Sequence, residues 1–441
     1  MRQAGVHSPI PYPMAFPLAA IAFQPTAARF AAALAFVWLA GGMLVAAESP
    51  RPWPAAPQFR PLTTERIAAM PAAAQPPWRA YLAASNRLAA ALPARDAFVT
   101  PSLLKLEGAG IPGKHSLGLQ LSAEPAWYAT NAAQEIAGRV VARQTRAGAW
   151  TKGNDYTSVL VIIPLKADVW SGGTLDNDAT TWEMRFLARV AAAAAPGDVR
   201  VAGWREAFLR GLLWLSAAQY PNGGFPQIYP LAGGYHDAIT FNDDAMTQAL
   251  ELLRDVGVGR AEFAFVSAEL RADATARLTR GIACIVAAQL RDGGGRRTGW
   301  CQQHDMLTLQ ACAARNYEPV AACTNESATL VRFLMTLEPP SPEVATAIRG
   351  AVDWFKRTAL QNLVWTRQGG SGQLLAHPGA PPLWARMYEI GKDRPIFGDR
   401  DRTVHYSVAE LSSERRNGYA WYGVWPAVAI EGFAVWAQQN P

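Results

Sequence analysis

Three segments of the chain repeat one pattern, in which a helix-favouring stretch ends in a glutamine that is followed by a glycine-containing turn and an aromatic residue. The segments are residues 144–150, 219–225 and 289–295, the last leading to Trp300, and their glutamines lie 75 and 70 positions apart. This interval holds two helices of ordinary length with their loops, so each repeat is predicted to be one hairpin of antiparallel helices. Hairpins repeated in this way can close into a ring of inner and outer helices.

The glycines of these segments are expected to turn the chain off a helix C-terminus, where a positive φ is needed. The aromatic residue that follows either packs over the helix end or faces the centre of the ring. Loops that all emerge on one side of a ring form a broad groove, which suits a polymer better than a small metabolite.

Composition supports a mainly helical chain and leaves the identity of its partner to the motifs. Half of the 441 residues are apolar, only 17% are charged, and alanine-rich runs such as residues 190–195 and 271–289 favour helix over strand. The net charge of +6 is modest, and the basic residues are scattered among aromatic ones rather than gathered into one tract. Nucleic acid is therefore not the expected partner, whereas a basic cleft would concentrate an acidic polymer.

The N-terminal region has the features of an export signal. An apolar stretch follows Arg29 and ends in Val45, Ala46 and Ala47, so residues 1–47 are predicted to be a signal peptide, with an uncleaved membrane anchor as the alternative. Eight prolines among residues 48–77 indicate an extended tether, and residues 78–441 form the predicted functional domain. We expect a secreted or periplasmic protein with no membrane contact after cleavage.

Four cysteines lie close together in the sequence, at Cys284, Cys301, Cys312 and Cys323. Two disulfides are possible in an oxidising compartment, and free buried thiols are an equal alternative because a large core does not need cross-links. The spacing matches no zinc site.

Two acidic clusters each open a predicted helix. One contains Asp176, and the other contains Asp243 and Asp244. Thr240 or Asn242 is the expected cap of the second helix. The carboxylates either complement the positive helix end or hold a hard cation through their oxygens, and since neither cluster has EF-hand spacing, a metal site must be assembled from distant loops.

Arginines stand near aromatic residues in the last third of the chain. Arg315 precedes Tyr317, Arg386 precedes Tyr388, and Arg400 lies in the segment 394–401 that contains Phe397. Guanidinium groups bind carboxylates bidentately, and aromatic faces take up sugar rings. Each pair alone is typical of a structural ion pair, but their number favours a site for an acidic sugar.

Taken together, these segments resemble the family 10 polysaccharide lyases, which are pectate lyases. The matching segments follow the family's order and are residues 219–230, 239–246, 300–305, 314–318, 326–327 and 394–397. The resemblance runs from about Trp78 to Trp436. It implies an α/α-toroid, an incomplete helical barrel of helix hairpins with short β segments.

The resemblance also implies the reaction, which is calcium-assisted β-elimination within polygalacturonate. Arg315 matches the family's base, which removes the C5 proton of the sugar, although a guanidinium normally stays protonated. Asp176 matches the aspartate near the calcium ion. Asp243 is expected to supply another calcium ligand, with Asp244 as its close competitor.

The remaining site residues are expected to bind substrate. Arg386 and Arg400 match the residues that bind substrate carboxylates in the family. Lys152 would add to the cationic groove, and Asn242, beside the acidic pair, is a further candidate.

The chain departs from the family pattern at two places. Residues 148–153 read Gly-Ala-Trp-Thr-Lys-Gly where the family usually has Gly-Gly-Trp-Pro-Lys-Asn, and Asp178 stands where glycine is common. The first departure is expected to change a sugar contact, and the second to alter the charge beside the metal.

Two other functions fit the same residues. An inverting glycoside hydrolase would use Asp176 and Asp243 as acid and base, about 6.5–9.5 Å apart. A non-catalytic oligogalacturonate-binding protein would keep the groove and lack the base. We expect a monomeric lyase, which the ultraviolet absorbance of its unsaturated product would distinguish from both.

Overall fold

The computed structural model describes residues 51–52, 59–92, 116–157 and 172–441, all of which belong to one unit, residues 47–441. The predicted signal peptide and much of the first half of the predicted tether lie outside the described residues. The domain boundaries therefore stay predictions.

The helices of the described residues are α1 Thr64–Ala68, α2 Gln75–Ala91, α3 Asn131–Ala142, α4 Thr181–Ala193, α5 Arg200–Ala218, α6 Ala245–Gly257, α7 Ala268–Ala288, α8 Thr324–Met335, α9 Pro342–Thr358, α10 Ser413–Gly418 and α11 Trp425–Gln439. The strands are β1 Arg51–Pro52, β2 Ile239–Thr240, β3 Gln303–His304, β4 Ala311–Cys312, β5 Ala322–Cys323, β6 Leu363–Gln368, β7 Ser371–Ala376, β8 Trp384–Ala385, β9 Met387–Tyr388, β10 Phe397–Gly398, β11 Thr403–His405 and β12 Tyr422–Gly423.

The helices form an inner and an outer row. α4, α6 and α8 contact one another in that order, and each packs against the helix that follows it, α5, α7 or α9. Burial distinguishes the rows. The inner helix α6 buries nine of its 13 residues, whereas the outer helix α7 buries only five of its 21. α3 packs against α4 and α5, and α11 against α8 and α9. The predicted mainly helical toroid of hairpins is confirmed, with the apolar core between the two rows.

The three repeated glutamines join each outer helix to the next one. In every repeat the side-chain amide nitrogen donates to a carbonyl of its own turn and to a carbonyl of the following outer helix: Gln144 to Gly148 and Ala207, both at 2.7 Å; Gln219 to Gly223 at 2.9 Å and Arg277 at 3.0 Å; Gln289 to Thr298 at 2.8 Å and Ala347 at 2.9 Å. The regular spacing of the glutamines thus corresponds to one contact that occurs three times in the fold.

The turns themselves need glycine. Gly223 has a φ of +93°, and a Cβ atom at this position would overlap the backbone of Arg280 on α7. The turn therefore lies directly against the next outer helix.

The aromatic residues of the repeats pack over the helix ends. Trp150, Phe225 and Trp300 are fully buried. The indole nitrogens of Trp150 and Trp300 donate to the carbonyls of Val140 and Ile285, at 2.8 and 2.7 Å. The alternative, in which these rings face the centre of the ring and line a groove, is wrong.

The strands are short and antiparallel. β2, β3 and β4 form one sheet, and the pairs β5–β9 and β8–β12 tie the loops before α8 to those before α11. The hairpin β6–β7 is the longest pairing in the described ranges. Sheets of this size position loops rather than build a core.

Residues 59–77 differ from the extended tether that the sequence predicts for residues 48–77. They contain α1 and bury Leu62 and Ile67, and Arg66 Nη2 donates to the Asp305 carboxylate at 2.6 Å. The prolines do not prevent this, because Pro61 and Pro71 flank α1 instead of interrupting it.

None of the helices in the described part of the chain is both long and apolar enough to cross a membrane. Of the two alternatives for the cysteines, the structure has the free thiols: all four are buried and unbridged.

Candidate active site

Two short 3-10 turns carry the acidic clusters and pack against each other. Asp176–Asp178 lies just before α4, and Asn242–Asp244 lies just before α6. The ring thus brings the loops of two repeats side by side. Asp178, Asp243 and Asp244 have left-handed backbones, with φ of 66°, 51° and 58°. Aspartate tolerates this conformation and glycine adopts it freely, so the geometry accounts for the glycine that the family commonly has at position 178.

The start of α6 differs from the prediction. Asp244 occupies the N-cap position, and no side chain of the described residues caps the helix. Thr240 instead donates to the carbonyl of Ala238, and Asn242 donates to Asp243. The prediction that Thr240 or Asn242 caps this helix is wrong, because the tight turn places the first helical residue after both.

Asp176 is buried and paired on both oxygens. The Lys152 ammonium forms an ion pair with Oδ2, and the side-chain nitrogen of Gln227 donates to Oδ1 at 3.0 Å. Lys152 is about one-third exposed, so solvent reaches this ion pair from the lysine side. The predicted metal ligand and the predicted groove cation are therefore in direct contact.

The second acidic turn concentrates negative charge. Burial raises the pKa of Asp244 to about 6; a hydrogen bond from Thr329 opposes this, while the charges of Glu326, Asp178 and Asp243 add to it. A bound cation would reduce the repulsion among these carboxylates. No group of three or more carboxylate, histidine or cysteine side chains in the described ranges is arranged to hold a metal ion.

Asn242 links this turn to a buried ion pair. Its Oδ1 accepts hydrogen bonds from Arg386 Nη2 at 3.2 Å and from Gln302 Nε2 at 3.0 Å, while its Nδ2 donates to Asp243 at 2.6 Å. Arg386 is paired with Glu326, whose side chain is fully buried. Burial lowers the pKa of Arg386, but the charge of Glu326 and its hydrogen bond outweigh this, and the pKa lies above its ordinary value.

Glu318 holds the side chain of Arg315. Arg315 Nε donates to Oε2 at 2.7 Å, Nη2 donates to Oε1, and the backbone nitrogen of Arg315 donates to Oε2 at 3.2 Å. The Tyr419 hydroxyl donates to Oε1 at 2.9 Å. Burial lowers the pKa of Arg315, but the hydrogen bonds and charge of Glu318 outweigh it, so the net pKa is raised.

Further cations gather beside Arg315. Three guanidinium groups lie over the Tyr317 ring, at 5.0 Å from its centroid for Arg315, 4.9 Å for Arg400 and 4.3 Å for Arg415. The Tyr317 ring meets Tyr419 edge-on at 5.5 Å, and Arg386 lies 4.9 Å from the Tyr419 centroid. The two tyrosines thus form a shared aromatic surface for four arginines.

Charges of both signs act on His236. Its pKa is lowered to about 4, first by burial and then by the charge of Lys152, while the charge of Asp176 raises it and that of Arg315 lowers it. Its ring packs on that of Tyr235 at 3.9 Å. A direct contact also joins the two sides, because Gln302 Nε2 donates to Asn242 Oδ1 and to the Tyr419 hydroxyl, both at 3.0 Å.

Four residues of this site were not predicted from the sequence. Glu318 stands three residues after Arg315, and that short spacing was available as a signal. His236 lies in the segment that contains Asp243 but has no motif of its own. Arg415 and Tyr419 carry no local signal, since Tyr419 is 101 residues from the carboxylate it contacts.

The family model of the pectic acid lyases matches residues 144–430. The chain belongs to the pectic acid lyases. Pectate lyase activity is thereby confirmed for this polysaccharide-degrading enzyme, and neither a hydrolase nor a non-catalytic binding protein is supported.

Solved structures place this pectate lyase in family 10. A family 10 polysaccharide lyase from Cellvibrio cellulosa is 34% identical, with a TM-score of 0.60 over 69% of this chain and 91% of that chain. An aspartate-to-alanine mutant of the Cellvibrio cellulosa enzyme, in complex with trigalacturonic acid, is 33% identical, with a TM-score of 0.61 over 72% of this chain and 97% of that chain. A search of curated proteins gave no match.

Proposed function

We propose that this pectate lyase cleaves (1→4)-α-D-galacturonan by calcium-assisted anti β-elimination, with Arg315 as the base that removes the C5 proton. The observation that carries the proposal is the contact between the acidic and the cationic residues. Asn242 of the second acidic turn accepts from Arg386 at 3.2 Å, and Gln302 joins Asn242 to Tyr419, which packs against Tyr317 and its arginines. A polyanionic sugar needs cations for its carboxylates and a base at C5. The relative solved with trigalacturonic acid supports this substrate.

The acidic turns supply the type of ligand that a calcium ion prefers, and Asp176 would exchange its ion pair with Lys152 for the metal. They offer hard carboxylate oxygens from two facing turns, and the mutual repulsion of these carboxylates contributes to the raised pKa of Asp244. Asp176 and Asp243 would hold the ion, with Asp244 as the alternative to Asp243, and water and substrate would complete the coordination. A bound calcium ion would neutralise the substrate carboxylate next to C5 as a Lewis acid.

Arg386 and Arg400 are proposed to bind the carboxylates of neighbouring sugar units. The Nε of Arg386 is buried and has no acceptor among the described residues, so a substrate oxygen there would satisfy it. Arg400 is about half exposed and pairs with the exposed Glu414, a partner that a substrate carboxylate can replace.

Lys152 and Asn242 are proposed to support this binding from the acidic side. Lys152 supplies a positive charge beside Asp176. Asn242 uses its oxygen for Arg386 and its nitrogen for Asp243, so its role includes fixing the distance between the arginine and the acidic turn.

In the proposed reaction the C5 proton passes to a nitrogen of neutral Arg315. The electron pair of the C5–H bond forms the C4–C5 double bond, and the C4–O4 bond breaks with its electron pair going to O4, which takes up a proton. Burial of Arg315 favours its neutral form, and the charge of Arg400 acts in the same direction, whereas Glu318 opposes it.

The proposed substrate also implies where the enzyme works. A galacturonan chain is too large to enter a cell intact, so we propose that the protein acts outside the cytoplasm, secreted or periplasmic, and as a monomer.

Ultraviolet monitoring of polygalacturonate with purified enzyme tests the proposal. Absorbance of the unsaturated product should rise with added calcium, stop with a chelator, and be absent for Arg315→Ala. New reducing ends without that absorbance would replace elimination by hydrolysis. Calcium-independent absorbance would remove the metal from the reaction.

A further inference from the structure

The carboxylate of Glu318 binds Arg315, so residues 315–318 form a tight loop. Glu318 accepts three hydrogen bonds from Arg315, two from the guanidinium and one from the backbone, and the backbone nitrogen of Glu318 donates to the Arg315 carbonyl at 2.8 Å. A guanidinium that is bound bidentately has one orientation. The side chain of Arg315 is therefore fixed before substrate arrives.

Glu318 is itself immobilised. It is 2% exposed, and the Tyr419 hydroxyl donates to its Oε1 at 2.9 Å. Tyr419 in turn accepts from Gln302 Nε2 at 3.0 Å and packs on Trp421 with ring centroids 4.6 Å apart. Tyr419 therefore limits the rotation of the carboxylate.

The hydrogen bonds distinguish the nitrogens of Arg315. Nε and Nη2 point at Glu318, whereas Nη1 has no acceptor among the described residues, and the side chain is 36% exposed. A neutral guanidine has one nitrogen that has lost a proton. The form that keeps Nε–H and the Nη2 amino group as full donors to the carboxylate has given up a proton from Nη1.

We propose that Glu318 is a positioning residue that selects Nη1 of Arg315 as the nitrogen that takes the C5 proton, with Tyr419 holding Glu318 in place. The proposal rests on the proposed function. In the step, the C5–H bond breaks, a bond between Nη1 and that proton forms, the freed electron pair becomes the C4–C5 double bond, and O4 leaves with the C4–O4 pair. Nε and Nη2 stay bonded to Glu318 throughout.

Two effects of Glu318 have opposite signs, and this makes the proposal testable. The charge of Glu318 raises the pKa of Arg315, so removing that charge increases the neutral fraction of the base at a given pH. Loss of positioning decreases the rate, and a base displaced by about 1 Å costs roughly 100-fold. The other titratable or charged groups acting with Arg315 remain in the variant: Tyr235, His236, Tyr317, Arg400 and Tyr419.

The experiment measures kcat, KM and melting temperature for Glu318→Gln, Glu318→Asp and Tyr419→Phe across a pH series. We expect Glu318→Gln to lower kcat by about 10–100-fold with KM changed less than about threefold, while the rise of kcat with pH begins at lower pH. Glu318→Asp keeps the charge and should recover part of kcat. Glu206→Gln, which breaks a remote pair with Arg210 on α5, is the control.

An unchanged or increased kcat in Glu318→Gln overturns the proposal. A raised KM with kcat unchanged also overturns it. If Glu318→Gln does not fold, Tyr419→Phe decides, because it removes one hydrogen bond to Glu318 and should lower kcat by about threefold or more. Arg315→Ala distinguishes a failure of the base assignment from a failure of the positioning role of Glu318. Residual turnover in that variant sinks the base assignment itself, whereas an inactive Arg315→Ala beside a fully active Glu318→Gln sinks only the positioning role.

Discussion

The side-chain nitrogen of Gln219 lies 3.0 Å from the carbonyl oxygen of Arg277, which belongs to the outer helix of the next repeat. The same nitrogen donates to Gly223 in its own turn at 2.9 Å. Both contacts recur at Gln144 and Gln289, so the glutamines connect neighbouring hairpins through the outer row.

Replacing Gln219 with leucine should destabilise the fold. The buried Gly223 carbonyl loses a donor, whereas the half-buried Arg277 carbonyl keeps the one within its own helix, and an unsatisfied buried group costs roughly 1–3 kcal/mol. The Oε1 of Gln219 has no hydrogen-bond partner within the described part of the chain, and its removal offsets part of this cost. We expect a net loss of about 1–3 kcal/mol in the free energy of unfolding, measured by urea denaturation. Gln438→Leu, on the exposed side of α11, should change nothing; equal stability of the two variants would contradict the prediction.

The repeat was predictable because its period appears directly in the chain. Helix hairpins of similar length separate Gln144, Gln219 and Gln289, and the turn needs glycine whatever the distant partners are. The direction of Trp150 was not predictable in the same way. A ring beside a positive-φ turn can point either way, and the choice depends on the carbonyl of Val140 and on how the inner helices close over it.

Stability should depend on pH through Glu183. This residue of α4 is fully buried, and its Oε1 accepts from Ser116 and Tyr156, both at 2.9 Å. Burial raises its pKa from 4.5 to about 7. A raised folded-state pKa means that the folded protein binds the proton more tightly, so the stabilisation is complete below pH 4.5 and is lost as the pH rises through about 7.

Glu183→Gln isolates this effect. The amide oxygen can still accept from Ser116 and Tyr156, but it does not ionise. Between about pH 4.5 and 7 the wild type should lose roughly 3 kcal/mol that the variant does not lose, measured by urea unfolding at several pH values. Parallel pH profiles for the two proteins would refute the assignment.

The site was predictable where its residues sit in motifs. Asp176, Asp243 and Arg315 were found by resemblance, and the structure brings the first two together through packed turns. The partners of these residues were not predictable. Glu326, which stabilises Arg386, is 60 positions from it in the sequence. The local sequence does not indicate which carboxylate will be buried against which guanidinium.

Glu326→Gln should be strongly destabilising. It leaves Arg386 buried without its counter-charge, which costs roughly 3–5 kcal/mol. The double variant Glu326→Gln with Arg386→Met removes both charges, so it should recover much of the stability and remain inactive. Urea unfolding and the ultraviolet assay, run on both variants, check this. A double variant as unstable as Glu326→Gln alone would contradict the account.

Arg400→Ala should weaken substrate binding without affecting the fold. Its exposed pair with Glu414 adds little to stability, whereas a lost charged hydrogen bond to a substrate carboxylate raises KM by about tenfold. The melting temperature and kcat should stay near their wild-type values. Arg210→Ala on α5, which also removes an exposed arginine paired with a glutamate, is the control for KM alone, since Arg210 also donates to Gln144. An unchanged KM would remove Arg400 from the binding site.

Asp178 should tune the affinity for calcium. Its charge acts on Asp244, and its backbone has a φ of 66°. In Asp178→Gly, relief of left-handed strain, roughly 1 kcal/mol, is offset by the entropy cost of glycine, roughly 0.5–1 kcal/mol, so the melting temperature should hardly change. The acidic turns lose one negative charge, and calcium binding measured by calorimetry should weaken several-fold. Asp178→Asn also tolerates this backbone and removes the same charge, so it should weaken binding to the same extent. Unchanged calcium affinity in both variants would show that Asp178 does not act on the ion.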